Sequence, residues 1–243
     1  MQSGYRDDPL RYHVILAGRP GPDKDHALAA PPAGAGAAGP RASPLSQPTA
    51  SQAEPGSPGL KRWDFAALAV LVALALGLCL YGLGNRSIWL DEAVALRIAQ
   101  TPGWDAAMSD GGNMALYYLF MRAWLRAGDS LAVLRLPSVV FSAAGAGLFY
   151  LLVRRLFDTR TAVMSALLLV VNSSFVYYGQ EARSYALVLL LVVAAWLALA
   201  AGLETRTPGW FLLWGALNAA AVGSHLFAVL MVCLLYTSDA ADE

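Results

Sequence analysis

Residues 61–93, KRWDFAALAVLVALALGLCLYGLGNRSIWLDEA, decide the fold. A basic pair, Lys61-Arg62, leads into nineteen uncharged residues from Phe65 to Leu83. A helix of that length crosses a hydrocarbon core of about 30 Å. The positive-inside rule puts the basic pair, and with it the N-terminus, in the cytoplasm. The span then delivers Ser87-Ile88-Trp89-Leu90-Asp91-Glu92-Ala93 to the opposite face, with Trp89 at headgroup level. Two adjacent carboxylates at a membrane boundary are costly to place, which marks Asp91 and Glu92 as functional candidates. Their other reading is a helix N-cap and its neighbour, both solvated.

The composition agrees with a membrane protein. Hydrophobic residues make up 57% and charged residues 14%, with a mean hydropathy of +0.50, against a globular average of about 25% charged. Formal net charge is zero and no basic stripe with interleaved aromatics occurs, so nucleic acid is not an expected partner. Of the two cysteines, Cys79 lies in an apolar run and Cys233 near the end, which builds neither a disulfide framework nor a zinc site. No Gly-rich phosphate loop, HExxH pair or serine nucleophile motif is present, which argues against a nucleotide-sugar donor on a Rossmann-type fold.

Residues 1–60 are rich in Pro, Ala, Gly and Ser and read as a disordered cytoplasmic leader containing His13 and His26. The closing stretch, Cys233 to Glu243, breaks an apolar run and resembles the in-frame translation of a transposase-type sequencing adapter. Native sequence is expected to end near Val232, and Asp239, Asp242 and Glu243 carry no weight as an acidic site.

Between these ends, residues 61–232 are expected to hold five spans: 65–83, 136–153, 161–178, 185–203 and 210–232. Met114 to Leu125 is apolar but too short to cross. Arg122 and Arg126 share one face with Asp129 a turn further on, so this segment reads as amphipathic and interfacial. Leu90, Val94 and Ile98 form a second apolar stripe at helical spacing. Residues 85–135 are therefore one large outer loop with two or three surface-lying helices, turning at Ser109-Asp110-Gly111-Gly112-Asn113. Gly145-Ala146-Gly147 allows close helix contact in the second span, which ends at the basic inner loop of Arg154, Arg155 and Arg160. The third span brings Gln180-Glu181-Ala182-Arg183-Ser184-Tyr185 back to the face of Asp91 and Glu92.

Acidic groups from two loops on one membrane face suit general base catalysis, in which a carboxylate takes the proton of an attacking hydroxyl. Arg183 suits a phosphate. Otherwise Glu181 and Arg183 are two residues apart and need not face each other. Tyr117, Tyr118, Tyr177, Tyr178 and Tyr185 fit a headgroup belt or a sugar platform. Asn172-Ser173-Ser174 is a glycosylation sequon lying within a span, and His225 is a lone histidine suited to an interhelical hydrogen bond.

Four stretches in order carry a family likeness: Ile88-Trp89-Leu90-Asp91-Glu92-Ala93; Leu116-Tyr117-Tyr118-Leu119; Leu134-Arg135-Leu136-Pro137-Ser138; and Tyr177 to Leu187, YYGQEARSYAL. Together they resemble bacterial protein-mannosyltransferase-like enzymes, the polytopic GT-C glycosyltransferases of the family 39 kind, which are also similar to the aminoarabinose transferases of lipid A. The likeness covers roughly Trp63 to Val232. It implies an all-α bundle of transmembrane helices, with interfacial helices in its first outer loop, in the cell membrane. It implies sugar transfer, mannose or similar, from a polyprenyl-phosphate donor to a hydroxyl of a protein, lipid or glycan at the outer face, with inversion at the anomeric carbon. The family's first-loop acid falls on Asp91, read as the base, with Glu92 beside it, and its second-loop acid on Glu181. Arg183, Arg135, Tyr117 and Tyr178 are the candidates for substrate contact. The donor's phosphate calls for cationic side chains or a divalent metal ion near the headgroups. The chain departs from the family at Met114-Ala115, where many members have consecutive prolines, and in length, since such enzymes carry more spans and often a C-terminal outer domain. The competing classes are a transporter or flippase, which would carry ionisable residues at mid-span, and a non-catalytic membrane subunit of a cell-envelope complex.

Overall fold

The computed structural model describes residues 59–109, 111–128, 130–231 and 233. The leader up to residue 58, Asp110, Asp129, and Asp239, Asp242 and Glu243 of the tail lie outside them. The described secondary structure is all helical, as the sequence leads one to expect.

The first span is α1 (Arg62–Leu80). Asp64 caps its start by accepting the Lys61 amide at 2.8 Å. Next come α2 (Leu90–Gln100), the single turn α3 (Trp104–Ala107) and α4 (Ala115–Trp124), the last running into a 3-10 turn at Leu125–Ala127. These short helices fall within residues 85–135, between the first two spans, and the ten residues of α4 are too few to cross a bilayer. The packed face of α2 differs from the expected stripe. Glu92, Ala95 and Ala99 are buried while Leu90 and Val94 stay exposed, because the alanines let α2 approach Tyr117, Tyr118 and Met121 of α4 closely. Arg122 does not point outward. It reaches back to the carbonyls of Ala99 (3.2 Å), Thr101 (2.7 Å) and Gly103 (3.1 Å), closing the C-terminal end of α2.

The central element is α5 (Leu131–Leu156), which packs on α1 and on every helix introduced below except the last. Pro137 lies inside it and cannot donate to the carbonyl of Val133. The Trp124 indole supplies that missing donor at 2.8 Å. A Cβ on Gly147 would stand 3.1 Å from Val72 Cγ2, so this glycine sets how near α1 comes.

The expected third span is broken. It consists of α6 (Thr159–Val171) and α7 (Ser173–Gly179), bent by 62°. Asn172 causes the break: its side chain accepts the amides of Ser174 (2.9 Å) and Phe175 (3.3 Å), starting a new helix in place of the old ladder. Gly179 lets α7 dock, since a Cβ there would stand 2.7 Å from Cys79 Sγ and 2.9 Å from Ser142 Oγ. The chain returns through α8 (Tyr185–Thr205) and goes back in α9 (Pro208–Ser224). The expected fifth span, 210–232, is continuous helix only to Ser224, where His225 turns extended and the Leu226 amide donates to Asn113 Oδ1 at 3.1 Å. By length and apolarity α1, α5 and α8 can each cross a membrane, and α6 with α7 makes a fourth span if the bent pair is one.

The bundle thus has two polar ends. At one, Asp64 Oδ1 accepts from Tyr150 (2.9 Å), Arg154 (3.1 Å) and Thr159 (3.2 Å), and Arg155 forks onto Glu204 at 2.8 and 2.6 Å. The other end gathers the start of α2, the start of α5 and the turn between α7 and α8.

Candidate active site

Glu92 is the centre of this second end, and it is 1% exposed. Arg135 meets it as a fork, Nε to Oε1 at 2.9 Å and Nη2 to Oε2 at 2.7 Å. The remaining Arg135 donors go to the carbonyls of Leu83 (2.9 Å), Arg86 (3.1 Å) and Ser87 (3.1 Å). All five guanidinium N–H groups are therefore used. The amides of Ala182 (2.9 Å) and Trp89 (3.3 Å) donate to the same carboxylate. Burial pushes the Glu92 carboxyl up, but the Arg135 fork and these two amides outweigh it and hold it below its ordinary value. This pair is a clasp joining the first span's exit, α2, α5 and the 180–184 turn. Neither member has a free position for substrate as it stands.

Asp91, the neighbouring residue, faces out with its side chain about half exposed (52%). Arg183 Nη1 lies 3.6 Å from its Oδ2 and 3.4 Å from its backbone carbonyl. The same guanidinium sits 5.7 Å over the ring of Tyr185. Its Nε is buried without a partner, as is the hydroxyl of Ser184, the N-cap residue of α8. Unspent donors at a helix N-terminus form an anion-attracting end.

Glu181 lies on the other side of the clasp, within reach of the Tyr177 hydroxyl. It lines a cleft of about 590 Å³ together with Arg86, Trp89, Tyr177 and the Glu92–Arg135 pair. A separate groove of about 380 Å³ opens between α5, the α6–α7 break and α8. Its walls are mostly apolar, including Leu169, Phe175, Ala186 and Leu189, and it ends at Tyr178 and Tyr185, whose ring centroids are 4.7 Å apart.

The structure thus brings Asp91, Glu92, Arg135, Glu181 and Arg183 to one end, with Tyr178 at the mouth of the groove. Tyr117 belongs elsewhere: it is wholly buried in the core beside Ser138, its hydroxyl unmatched and its pKa pushed up by burial. His225 packs its ring on Tyr185 at 5.3 Å and on Phe227 at 5.2 Å. Arg86, over the Tyr177 ring at 5.6 Å, and Ser184 were given no role from sequence, although Ser184 lies inside one quoted motif and Arg86 immediately precedes another. Among the described residues no three His, Cys, Asp or Glu side chains lie together as a metal site.

The fold is that of a multi-pass helical membrane protein in which a carboxylate and a guanidinium meet at one end, the guanidinium lying over a tyrosine that also lines an apolar groove. The chain belongs to the dolichyl-phosphate-mannose-protein mannosyltransferase family, whose profile matches residues 114–238, just over half its length. It is accordingly a membrane glycosyltransferase of the GT-C kind. The matched region includes Glu181 and Arg183 and begins after Asp91 and Glu92. No curated protein and no solved structure matches the chain.

Proposed function

We propose that the protein transfers a sugar from a polyprenyl-phosphate carrier to an acceptor hydroxyl at the outer face of the cell membrane, with Asp91 as general base. The observation that carries this reading is Asp91 itself, a half-exposed carboxylate held 3.6 Å from a guanidinium beside the groove. The groove between α5, α6–α7 and α8 suits the first isoprene units of the carrier, since its walls are mostly apolar and lie between helices apolar enough to span a membrane. Tyr178 and Tyr185 mark where the chain gives way to phosphate. Arg183 and the N-terminus of α8 neutralise that phosphate as negative charge grows on it in the transition state. The acceptor oxygen attacks the anomeric carbon from the side opposite the phosphate, Asp91 takes its proton, and the C1–O bond to phosphate breaks with inversion. Polyprenyl phosphate is a good leaving group, so no separate acid is required.

Glu92 and Arg135 act in this scheme as positioning residues. They hold the α2 first turn against the 180–184 turn, and so keep Asp91 and Arg183 together. The deeply buried ion pairs, Asp64–Arg154 and Glu92–Arg135, lie at the ends of the bundle and are mutually satisfied, which favours a transferase over an ion-coupled transporter. The test is Asp91→Asn in the full-length protein, assayed for transfer from a radiolabelled lipid-linked sugar. Loss of turnover by about 10²-fold or more with normal membrane insertion is expected. Turnover at the unsubstituted rate removes Asp91 as the base.

A further inference from the structure

The end of the bundle away from the candidate active site carries the larger unspent charge. Residues 61–64, 154–160 and 204–206 hold six basic and three acidic side chains, whereas residues 84–135 and 181–183 hold six of each. The three acids are also committed. Asp64 accepts the Lys61 amide on Oδ2 and the Tyr150, Arg154 and Thr159 side chains on Oδ1. Asp158 caps α6, accepting the amides of Arg160 and Thr161 and the Thr161 hydroxyl, and Glu204 takes the Arg155 fork. Lys61, Arg62, Arg160 and Arg206 remain, all exposed and none in an ion pair within 4 Å among the described residues.

Three of these four come together. The Lys61 amide and the Thr159 hydroxyl meet on one carboxylate, so the starts of α1 and α6 adjoin and bring Lys61, Arg62 and Arg160 to the same corner. Arg154 of α5 is bound to that carboxylate as well. It is 7% exposed, yet it donates through Nε alone, and both of its Nη groups lack a hydrogen-bond partner among the described residues. Four cations with unspent donors thus stand around Asp64, which is saturated, and Asp158, which is turned to its own helix. An anion with several acceptor oxygens would satisfy them.

The neighbouring side chains say which anion. Trp63 is 77% exposed beside Arg62, and Leu156 and Phe157 are exposed just before Asp158. A small soluble anion covers none of this apolar surface, whereas a phospholipid places its phosphodiester on the cations and its glycerol and first methylenes on the rings. Below them Leu71, Tyr150, Val153, Ala162 and Ala166 close the core between α1, α5 and α6, a firm base for a headgroup. On the orientation expected from Lys61-Arg62 this corner faces the cytoplasmic leaflet, where anionic lipids draw basic juxtamembrane residues.

The geometry points to a seat for one anionic phospholipid where α1, α5 and α6 meet, its phosphate held by Lys61, Arg62 and Arg160 with Arg154 behind them. The headgroup bridges the starts of α1 and α6 and reinforces the contact that Asp64 makes between them. The seat lies at the opposite end from Asp91 and stands whether or not the transferase reading does.

The experiment uses the whole chain in nanodiscs of equal parts phosphatidylcholine and phosphatidylglycerol, with the lipids retained by the protein counted by native mass spectrometry. The natural sequence should keep phosphatidylglycerol in preference to phosphatidylcholine. That preference should fall about fivefold for Arg160→Gln and further for Lys61→Gln combined with Arg160→Gln. Arg160→Lys keeps the charge and should keep the lipid, and Arg97→Gln, at an exposed position of α2, should change nothing. Helical circular dichroism and melting in phosphatidylcholine alone verify that each variant is folded. Equal retention of the two lipids, or a preference that survives both glutamine substitutions, overturns the seat. An equal loss in Arg97→Gln shows a diffuse charge effect and overturns it too. Displacement of the lipid by inorganic phosphate, but not by chloride at the same ionic strength, marks a site for free anions and removes the phospholipid assignment.

Discussion

Asp91 and Glu92 are adjacent in sequence and opposite in situation, and the difference comes from Arg135, forty-three positions away from Glu92. One carboxylate is half exposed beside Arg183, whereas the other is enclosed and accepts four hydrogen bonds. Removing one member of a buried pair strands the other charge, which costs about 3–5 kcal/mol. Glu92→Ala should therefore lower thermal stability in detergent by that amount, while Asp91→Asn should stay within about 0.5 kcal/mol of the natural protein. The pH dependence follows from the same geometry. The folded pKa of Glu92 is depressed, so its contribution to stability is fully present above the pKa it has when unfolded and disappears as pH falls through the folded value. A melting series from neutral to acid pH should show that limb in the natural protein and a flatter profile in Glu92→Gln. Sequence singled out the pair, and the family resemblance put the base on Asp91, but the residues alone could not tell that Glu92 would be the enclosed member. A capped helix start and a catalytic pair read alike until the long-range arginine is in place.

At the scale of elements, the clearest dependency is the one between Trp124, Val133 and Pro137. Proline at 137 leaves the Val133 carbonyl without its helical donor, and the Trp124 indole fills the gap from the neighbouring 3-10 junction. Trp124→Phe keeps the ring and deletes the donor, so the unsatisfied carbonyl should cost about 1–3 kcal/mol. Pro137→Ala returns a backbone donor to Val133. In that background the loss of the indole should cost less, giving a coupling of about 0.5–3 kcal/mol in a double-mutant cycle measured by chemical unfolding. Additive effects would show that the indole bond and the proline act independently. The long apolar runs that became α1, α5 and α8 were plain in the sequence because length and hydropathy suffice to recognise them. The bend at Asn172 and the end of α9 at Ser224 were not. Each depends on a single side chain competing with the helix: Asn172 taking two amides of the next turn, and Asn113, over a hundred residues earlier, taking the amide of Leu226.

For the molecule as a whole, the decisive question is which end faces out. The structure groups Asp91 and Glu181 at one end through the Glu92 clasp, and places Asp158 and Arg206, beyond the far termini of α5 and α8, at the other. Charge patterning alone gives a weaker signal, since arginines stand at both ends. At the clasp end, however, Arg122, Arg135 and Arg183 are folded onto carbonyls and carboxylates. Immediately flanking α1, the contrast is the pair Lys61-Arg62 against Arg86, and the first span usually dominates orientation. The expected outcome is that single cysteines at 91 and 181, introduced with Cys79 and Cys233 replaced by alanine, react with an impermeant maleimide on intact cells. Cysteines at 158 and 206 should react only after the membrane is opened. Labelling of 91 and 181 from the inside alone would reverse the orientation and move the reaction to the cytoplasmic face, with the shared site intact. Labelling of the two from opposite compartments would break the site itself, because no clasp at Glu92 could then join α2 to the turn that carries Arg183.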